Sequence, residues 1–210
     1  MRLALAQINC TVGDLPGNRN KILAFIKKAK QAKADLIVFP ELATTGYPPE
    51  DLLLKPKFVS DNLSTLKEIA KACGGIAAYV GFVDKRGGEL FNAGAFIVDK
   101  TVKEIYHKIN LPNYAVLDEK RYFKEGNKCS VLSYKQTKIG LGICEDLWVE
   151  RGPYREEAKR GAKIILNINA SPYHAGKIKE REKMLQARAK STRAQVVYVN
   201  MVGGQDELIF

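Results

Sequence analysis

The chain has only two histidines, one tryptophan and three methionines, and its four cysteines, Cys10, Cys73, Cys129 and Cys144, include no CxxC pair. Neither a zinc site nor a disulfide framework follows from such spacing, so the cysteines read as free thiols in a reducing compartment. No apolar run approaches the roughly 20 residues that a membrane span needs. The opening "MRLALAQIN" is too short and too strand-like for a secretory signal, which makes the cytoplasm the expected location. No segment repeats at a fixed period and no linker rich in Pro, Gly or Ser divides the 210 residues, so a single domain is the simplest organisation.

Acidic residues are in the minority: 23 Asp and Glu face 34 Lys and Arg, a formal charge of +11. Clustered positive charge attracts phosphate backbones. The densest group, Lys27, Lys28, Lys30 and Lys33, sits in a helical segment without interleaved aromatic residues for base stacking. It reads as a solvated face, and nucleic-acid binding is not expected. Apolar residues at 46% and charged residues at 27% describe a soluble globular chain.

What is present is an alternation of α and β patterns. "RLALAQIN" alternates as a strand, "GNRNKILAFIKKAKQAKA" places Ile22, Leu23, Phe25, Ile26 and Ala29 on one helical face, and "DLIVFPE" is a short buried strand. A helix near residues 57–73 stops at Gly74 and Gly75. Strand-like runs "IAAYVGFV", "LFNAGAFIVD" and "VKEIYHKI" follow. The second half repeats the scheme, with "KIGLGIC", "KIILNINA" and "QVVYVNMV" as strands and "GPYREEAKRGA" and "KIKEREKMLQARAKSTRA" as helices. The final "MVGGQDELIF" reads as an apolar strand-like run with no turn and no closing element, which would leave an uncovered edge. The expectation is that the chain is a piece of a longer protein.

Three residues stand where a strand meets a polar loop. Cys144 ends "KIGLGIC" and is followed at once by Glu145 and Asp146, so backbone N–H groups at a helix start could lower its thiol pKa and hold an oxyanion. A core cysteine capping a strand fits the same position. Glu41 follows "LIVFP" at the sheet edge where α/β proteins place sites, although a loop or cap charge fits equally. Lys108 follows "EIYH", and a loop lysine is ordinarily solvent-exposed. A cysteine–histidine mechanism would need His107 or His174 as base. His107 adjoins Lys108 in an extended run, so the two side chains are expected on opposite faces, and His174 in "ASPYHAG" remains an alternative.

Taken together, "FPELATTGYPPEDLL", "YHKINLPNYAVLDEKRYF" and "GLGICEDLW" resemble the nitrilase, or carbon–nitrogen hydrolase, superfamily, whose enzymes use Glu, Lys and Cys in that chain order. Within it, "GYPPEDLL", "KINLPNYAVLDEKRYF" and "GGQDELIF" are similar to the subfamily of amino-terminal glutaminase domains of glutamine-dependent NAD synthetases. The resemblance spans nearly the whole chain. It implies an α/β fold, the α-β-β-α sandwich, incomplete at its carboxyl-terminal end, with residues 1–210 forming a truncated glutamine amidohydrolase domain.

It further implies Glu41, Lys108 and Cys144 as catalytic residues. Tyr47, Tyr114, Trp148 and Ser171 resemble pocket residues for L-glutamine, and Glu119 resembles a second glutamate that supports the lysine and the substrate amide. No metal or organic cofactor is implied for this half. ATP and Mg belong to a separate synthetase domain, whose Gly- and Ser-rich phosphate loop this sequence lacks. That domain, or an equivalent ammonia acceptor, and a homo-oligomer are the implied partners. A stand-alone amidase or carbamoylase, and an inactive assembly module, are the alternatives.

Overall fold

The computed structural model describes residues 1–205 and 208–210. Two sheets form its centre. The first runs β1 (Leu3–Leu5), β2 (Leu36–Val38), β3 (Ala77–Arg86), β4 (Glu89–Val98) and β5 (Thr101–His107) in spatial order. The second runs β6 (Ser130–Tyr134), β7 (Thr137–Ile143), β8 (Ile164–Asn169) and β9 (Gln195–Asn200). Within each, the neighbours joined through helices are parallel and the hairpin neighbours antiparallel.

The layering follows from which face each alternate residue takes. Leu36, Val38, Ala77 and Tyr79 pack with Ile139, Leu141, Leu166 and Ile168 between the two sheets. Their neighbours Ile37, Ala78 and Val80 point the other way, toward Ile22, Ile26 and Ile69 of α1 (Leu15–Gln31) and α2 (Pro56–Ala72). On the far side, Ile165 packs with Leu147, Tyr154 and Ala194, against α3 (Glu145–Trp148), α4 (Tyr154–Lys159) and α5 (Lys177–Thr192). Strands covered on both faces read as continuous apolar runs, which is why "DLIVF" and "KIILNI" lack alternation. The result is the expected α-β-β-α sandwich.

Several boundaries differ from the sequence reading. Helix α1 starts at Leu15 because Asp14 accepts a hydrogen bond from Gly17 N (2.9 Å), and it ends at Gln31, before Lys33 turns to φ 54. Strand β1 is three residues long rather than eight. Strand β6, in "CSVLSY", carried no strand expectation, yet it pairs with β7 along its whole length. The chain end also departs from expectation: β10 (Gly204–Gln205) pairs antiparallel with β11 (Leu208–Ile209). Leu208 is buried, Phe210 meets Tyr47 edge-on at 6.3 Å, and the Gln205 side chain accepts from Val12 N and donates to Cys10 O. This end is therefore folded onto the first helical layer. Among the described residues no helix is long and apolar enough to cross a membrane.

Candidate active site

Glu41 lies just past β2, in a tight segment where Leu42 has φ 46. Strand β3 crosses so close that a Cβ on Gly81 would sit 2.3 Å from Pro40 O and 2.4 Å from Leu42 N. Only glycine admits that approach. Lys108 follows β5 and is anchored by its own backbone, donating to Asn92 O (2.9 Å) and accepting from Gly126 N (2.8 Å). Cys144 follows β7 with φ 42 and ψ −102, a backbone geometry that non-glycine residues rarely adopt and that concentrates at functional sites. Glu119 enters from a 3-10 turn, Glu119–Arg121.

These segments, far apart in the chain, meet in a row of buried charges. Lys108 Nζ donates to Glu41 Oε1 and to Glu119 Oε1, each at 2.7 Å, and none of the three residues is more than 5% exposed. The Tyr47 hydroxyl adds a bond to Glu119 Oε1 (2.9 Å). Asn92 Nδ2 donates to Glu41 Oε1 (2.7 Å) and reaches Glu119 Oε2 at 3.4 Å. Ala170 N, just past β8 in the other sheet, donates to Glu41 Oε2 (2.8 Å). Glu41 Oε1 thus accepts two donors and Oε2 one, which leaves Oε2 as the oxygen with room for a proton.

The electrostatics follow from burial and from this row. Burial opposes the Lys108 charge, but Glu119 and Glu41 outweigh it and hold the ammonium well above its ordinary range. Burial lifts Glu119 to about 7, with Lys108 pulling the other way. Burial, then the Glu41 charge, pushes the Cys144 thiol well above its usual value, while Lys108 works against them. Cys144 therefore rests as a thiol, and any chemistry at its sulfur requires a base rather than a preformed thiolate.

A cleft of about 340 Å³ opens on Cys144, and Tyr47, Tyr114, Trp148 and Ser171 line it as well. Tyr114 is 57% exposed and donates to Glu145 Oε2 (2.8 Å). Ser171 N donates to Asn200 Oδ1 (3.0 Å). His174 also lines the cleft, as an exposed loop residue. His107 is elsewhere: its ring stacks on Phe91 at 4.1 Å and its Nε2 lies 2.8 Å from Asp84 Oδ2, on the strand face opposite Lys108.

Sequence reasoning missed four contributors. Asn92 is a polar residue inside the apolar run "LFNAGAFIVD", which is itself a signal, since a buried amide needs a partner. Lys177 sits 4.3 Å over the Trp148 ring and, with Glu145, brings opposite charges to the cleft wall. Arg188 and Arg181 act from α5, which buries no residue fully. Arg188 donates to Leu147 O and Trp148 O (both 2.9 Å), and Arg181 to Ser171 O (2.6 Å), clamping the end of α3 and the loop after β8, which both wall the cleft.

Comparison with known proteins places the whole chain in one family. The carbon–nitrogen hydrolase family profile matches residues 2–210. A glutamine-dependent NAD(+) synthetase of Aquifex aeolicus is 44% identical over 218 residues, covering all of this chain and 37% of that protein. The structure of glutamine-dependent NAD+ synthetase from Acinetobacter baumannii in complex with ADP superposes with a TM-score of 0.92 at 40% identity, covering 99% of this chain and 39% of that one. An amidase of Nesterenkonia from the nitrilase superfamily superposes at 0.90 with 26% identity, covering 100% of this chain and 79% of that one. The chain spans about 40% of the length of the synthetases it matches. With its fold and its family profile in agreement, this chain belongs to the carbon–nitrogen hydrolase family.

Proposed function

We propose that the chain hydrolyses the side-chain amide of L-glutamine through a thioester on Cys144. The observation that carries this reading is the chemistry of one cleft: the Cys144 thiol lies in its lining with the Glu41–Lys108–Glu119 row acting on it, and its wall bears the Glu145 carboxylate and the Lys177 ammonium. A free α-amino acid carries an ammonium and a carboxylate that complement those two charges. Its side-chain amide is then the group left for the thiol. The similarity to glutamine-dependent synthetases supports the same substrate.

In this mechanism Glu41 takes the thiol proton on Oε2 as the sulfur attacks the amide carbon. Lys108 Nζ and the Glu145 N–H, at the start of α3, stabilise the tetrahedral oxyanion. Glu41 returns the proton to the departing nitrogen, ammonia leaves, and a glutamyl thioester remains. Glu41 then takes a proton from water, the hydroxide displaces Cys144, and the proton returns to the sulfur as glutamate departs. Glu119 holds Lys108 in place throughout, and Tyr47 holds Glu119. Removing an oxyanion donor of this kind typically costs about 3 kcal/mol, on the order of a hundredfold in rate.

The ammonia would pass to an ATP-dependent synthetase domain that amidates nicotinic acid adenine dinucleotide. ATP and magnesium belong to that domain, and among the described residues no group of three or more His, Cys, Asp or Glu is arranged to hold a metal ion. Ammonium in water is not nucleophilic, so direct delivery is chemically sound. A homo-oligomer and a cytoplasmic setting, where the free thiols stay reduced, complete the reading. Ammonia and glutamate release from glutamine, against a panel of simple amides and carbamoyl amino acids, tests it. Preference for simple amides would instead favour the amidase activity that the Nesterenkonia likeness suggests.

A further inference from the structure

Asp146, two residues beyond Cys144, has no part in the steps above, yet it is buried at 1% exposure and accepts five hydrogen bonds. Its Oδ1 accepts from Ile109 N (3.2 Å), Asn110 N (2.8 Å) and Asn110 Nδ2 (2.9 Å). Its Oδ2 accepts from the Tyr106 hydroxyl (2.8 Å) and Ile143 N (3.3 Å). Four of these donors flank Lys108 on β5 and the loop after it, in the first sheet. The fifth is the residue before Cys144 in the second sheet. One carboxylate therefore joins the Tyr106 side chain before the lysine, and the backbone after it, to the turn that presents the thiol.

We propose, resting on the amide-hydrolase reading, that Asp146 is a positioning residue that sets Lys108 in register with Cys144 across the two sheets. Lys108 and Cys144 come from different sheets, and the apolar interface between those sheets is non-directional. A hydrogen-bonded carboxylate with about four lone-pair sites is directional, and a misplacement of about 1 Å at a reacting centre costs on the order of a hundredfold in rate. Burial works against the charge, pushing Asp146 up to about 6 even with its donors in place. Glu157, Tyr79, Tyr106 and Lys108 also act on it electrostatically. A charge kept at this cost points to a role that a neutral side chain would not fill.

The test compares the full chain with Asp146→Asn and Tyr106→Phe by glutamine kinetics and by the pH dependence of Cys144 alkylation with iodoacetamide. The charges acting on the thiol are Glu41, Lys108, Glu119 and Glu145. Loss of a negative charge alone would ease thiol ionisation and speed alkylation. Displacement of Lys108 would do the reverse. Positioning by Asp146 therefore predicts that Asp146→Asn slows alkylation and moves its midpoint to higher pH. It also predicts that kcat falls on the order of a hundredfold while KM changes by less than about threefold. Tyr106→Phe changes both in the same direction by a smaller factor.

Alkylation as fast as, or faster than, in the parent in a folded Asp146→Asn variant overturns the proposal. If that variant does not fold, unchanged kcat and alkylation in Tyr106→Phe overturn it instead. If the parent releases no ammonia from glutamine while the variants still slow alkylation, the glutamine reading fails and the positioning role stands.

Discussion

Glu119 carries its charge at a cost that depends on pH, and replacing it by glutamine removes that dependence. The carboxyl is 5% exposed and is held at about 7 by burial, against an ordinary value of 4.5. Below pH 4.5 it is protonated in both the folded and the unfolded chain. Between 4.5 and 7 the folded chain binds the extra proton, so stability falls as pH rises through this window and levels off above it. At 1.36 kcal/mol per pKa unit, the loss is on the order of 3 kcal/mol.

Glutamine has the shape of the protonated acid and does not titrate. The difference in unfolding free energy, Glu119→Gln minus parent, should therefore grow by on the order of 3 kcal/mol between pH 4.5 and pH 8. Urea unfolding at both pH values measures it, and taking the difference cancels the other titrating groups. Activity should fall in the same variant, because Lys108 loses one of its two carboxylates. A difference that stays constant, or grows toward acid pH, would refute the assignment of a raised carboxyl at this position.

Other consequences are equally concrete. Gly81→Ala would drive a methyl to 2.3 Å from Pro40 O; it should destabilise the chain by more than about 2 kcal/mol and displace Glu41, seen as a lowered Tm together with lost turnover. Asn92→Ala removes a charge-assisted bond to Glu41 and should lower kcat/KM roughly tenfold or more with the fold intact by circular dichroism, since such bonds are worth about 1.5–3 kcal/mol. Lys177→Met keeps an apolar stem beside Trp148 but deletes the ammonium; steady-state kinetics should show KM for glutamine rising at least about tenfold with a smaller change in kcat.

The fold class was legible because sheets buried on both sides leave uninterrupted apolar runs and helices leave a 3.6-residue stripe. "DLIVFPE" and "KIILNINA" locate β2 and β8, and Ile22, Ile26 and Ala29 locate the buried face of α1. Strand β6 escaped notice because it is short and mostly half-buried, with polar residues at both ends. The chain-end hairpin escaped because each of its strands is only two residues long and the Gln205 contacts that hold it are made across nearly the whole chain length.

At the site, Glu41, Lys108 and Cys144 were visible as chemistry-bearing residues at strand ends. Their union came only through the family resemblance, because nothing local in sequence says that β2, β5 and β7 end at one point. Lys108 illustrates this: alone it reads as a solvated loop lysine, and two carboxylates from distant segments make it a buried cation. Asn92 and Asp146 lay hidden for the same reason, since their partners are 51 and 36 or more residues away where the bonds matter most.

The most direct test of the account is the release of ammonia and glutamate from L-glutamine by this 210-residue chain and by its Cys144→Ala variant. The account predicts release by the parent and none by the variant, with a covalent adduct at Cys144 when a thiol-reactive glutamine analogue is supplied. Equal release by both proteins, or labelling by the analogue at a residue other than Cys144, would contradict it.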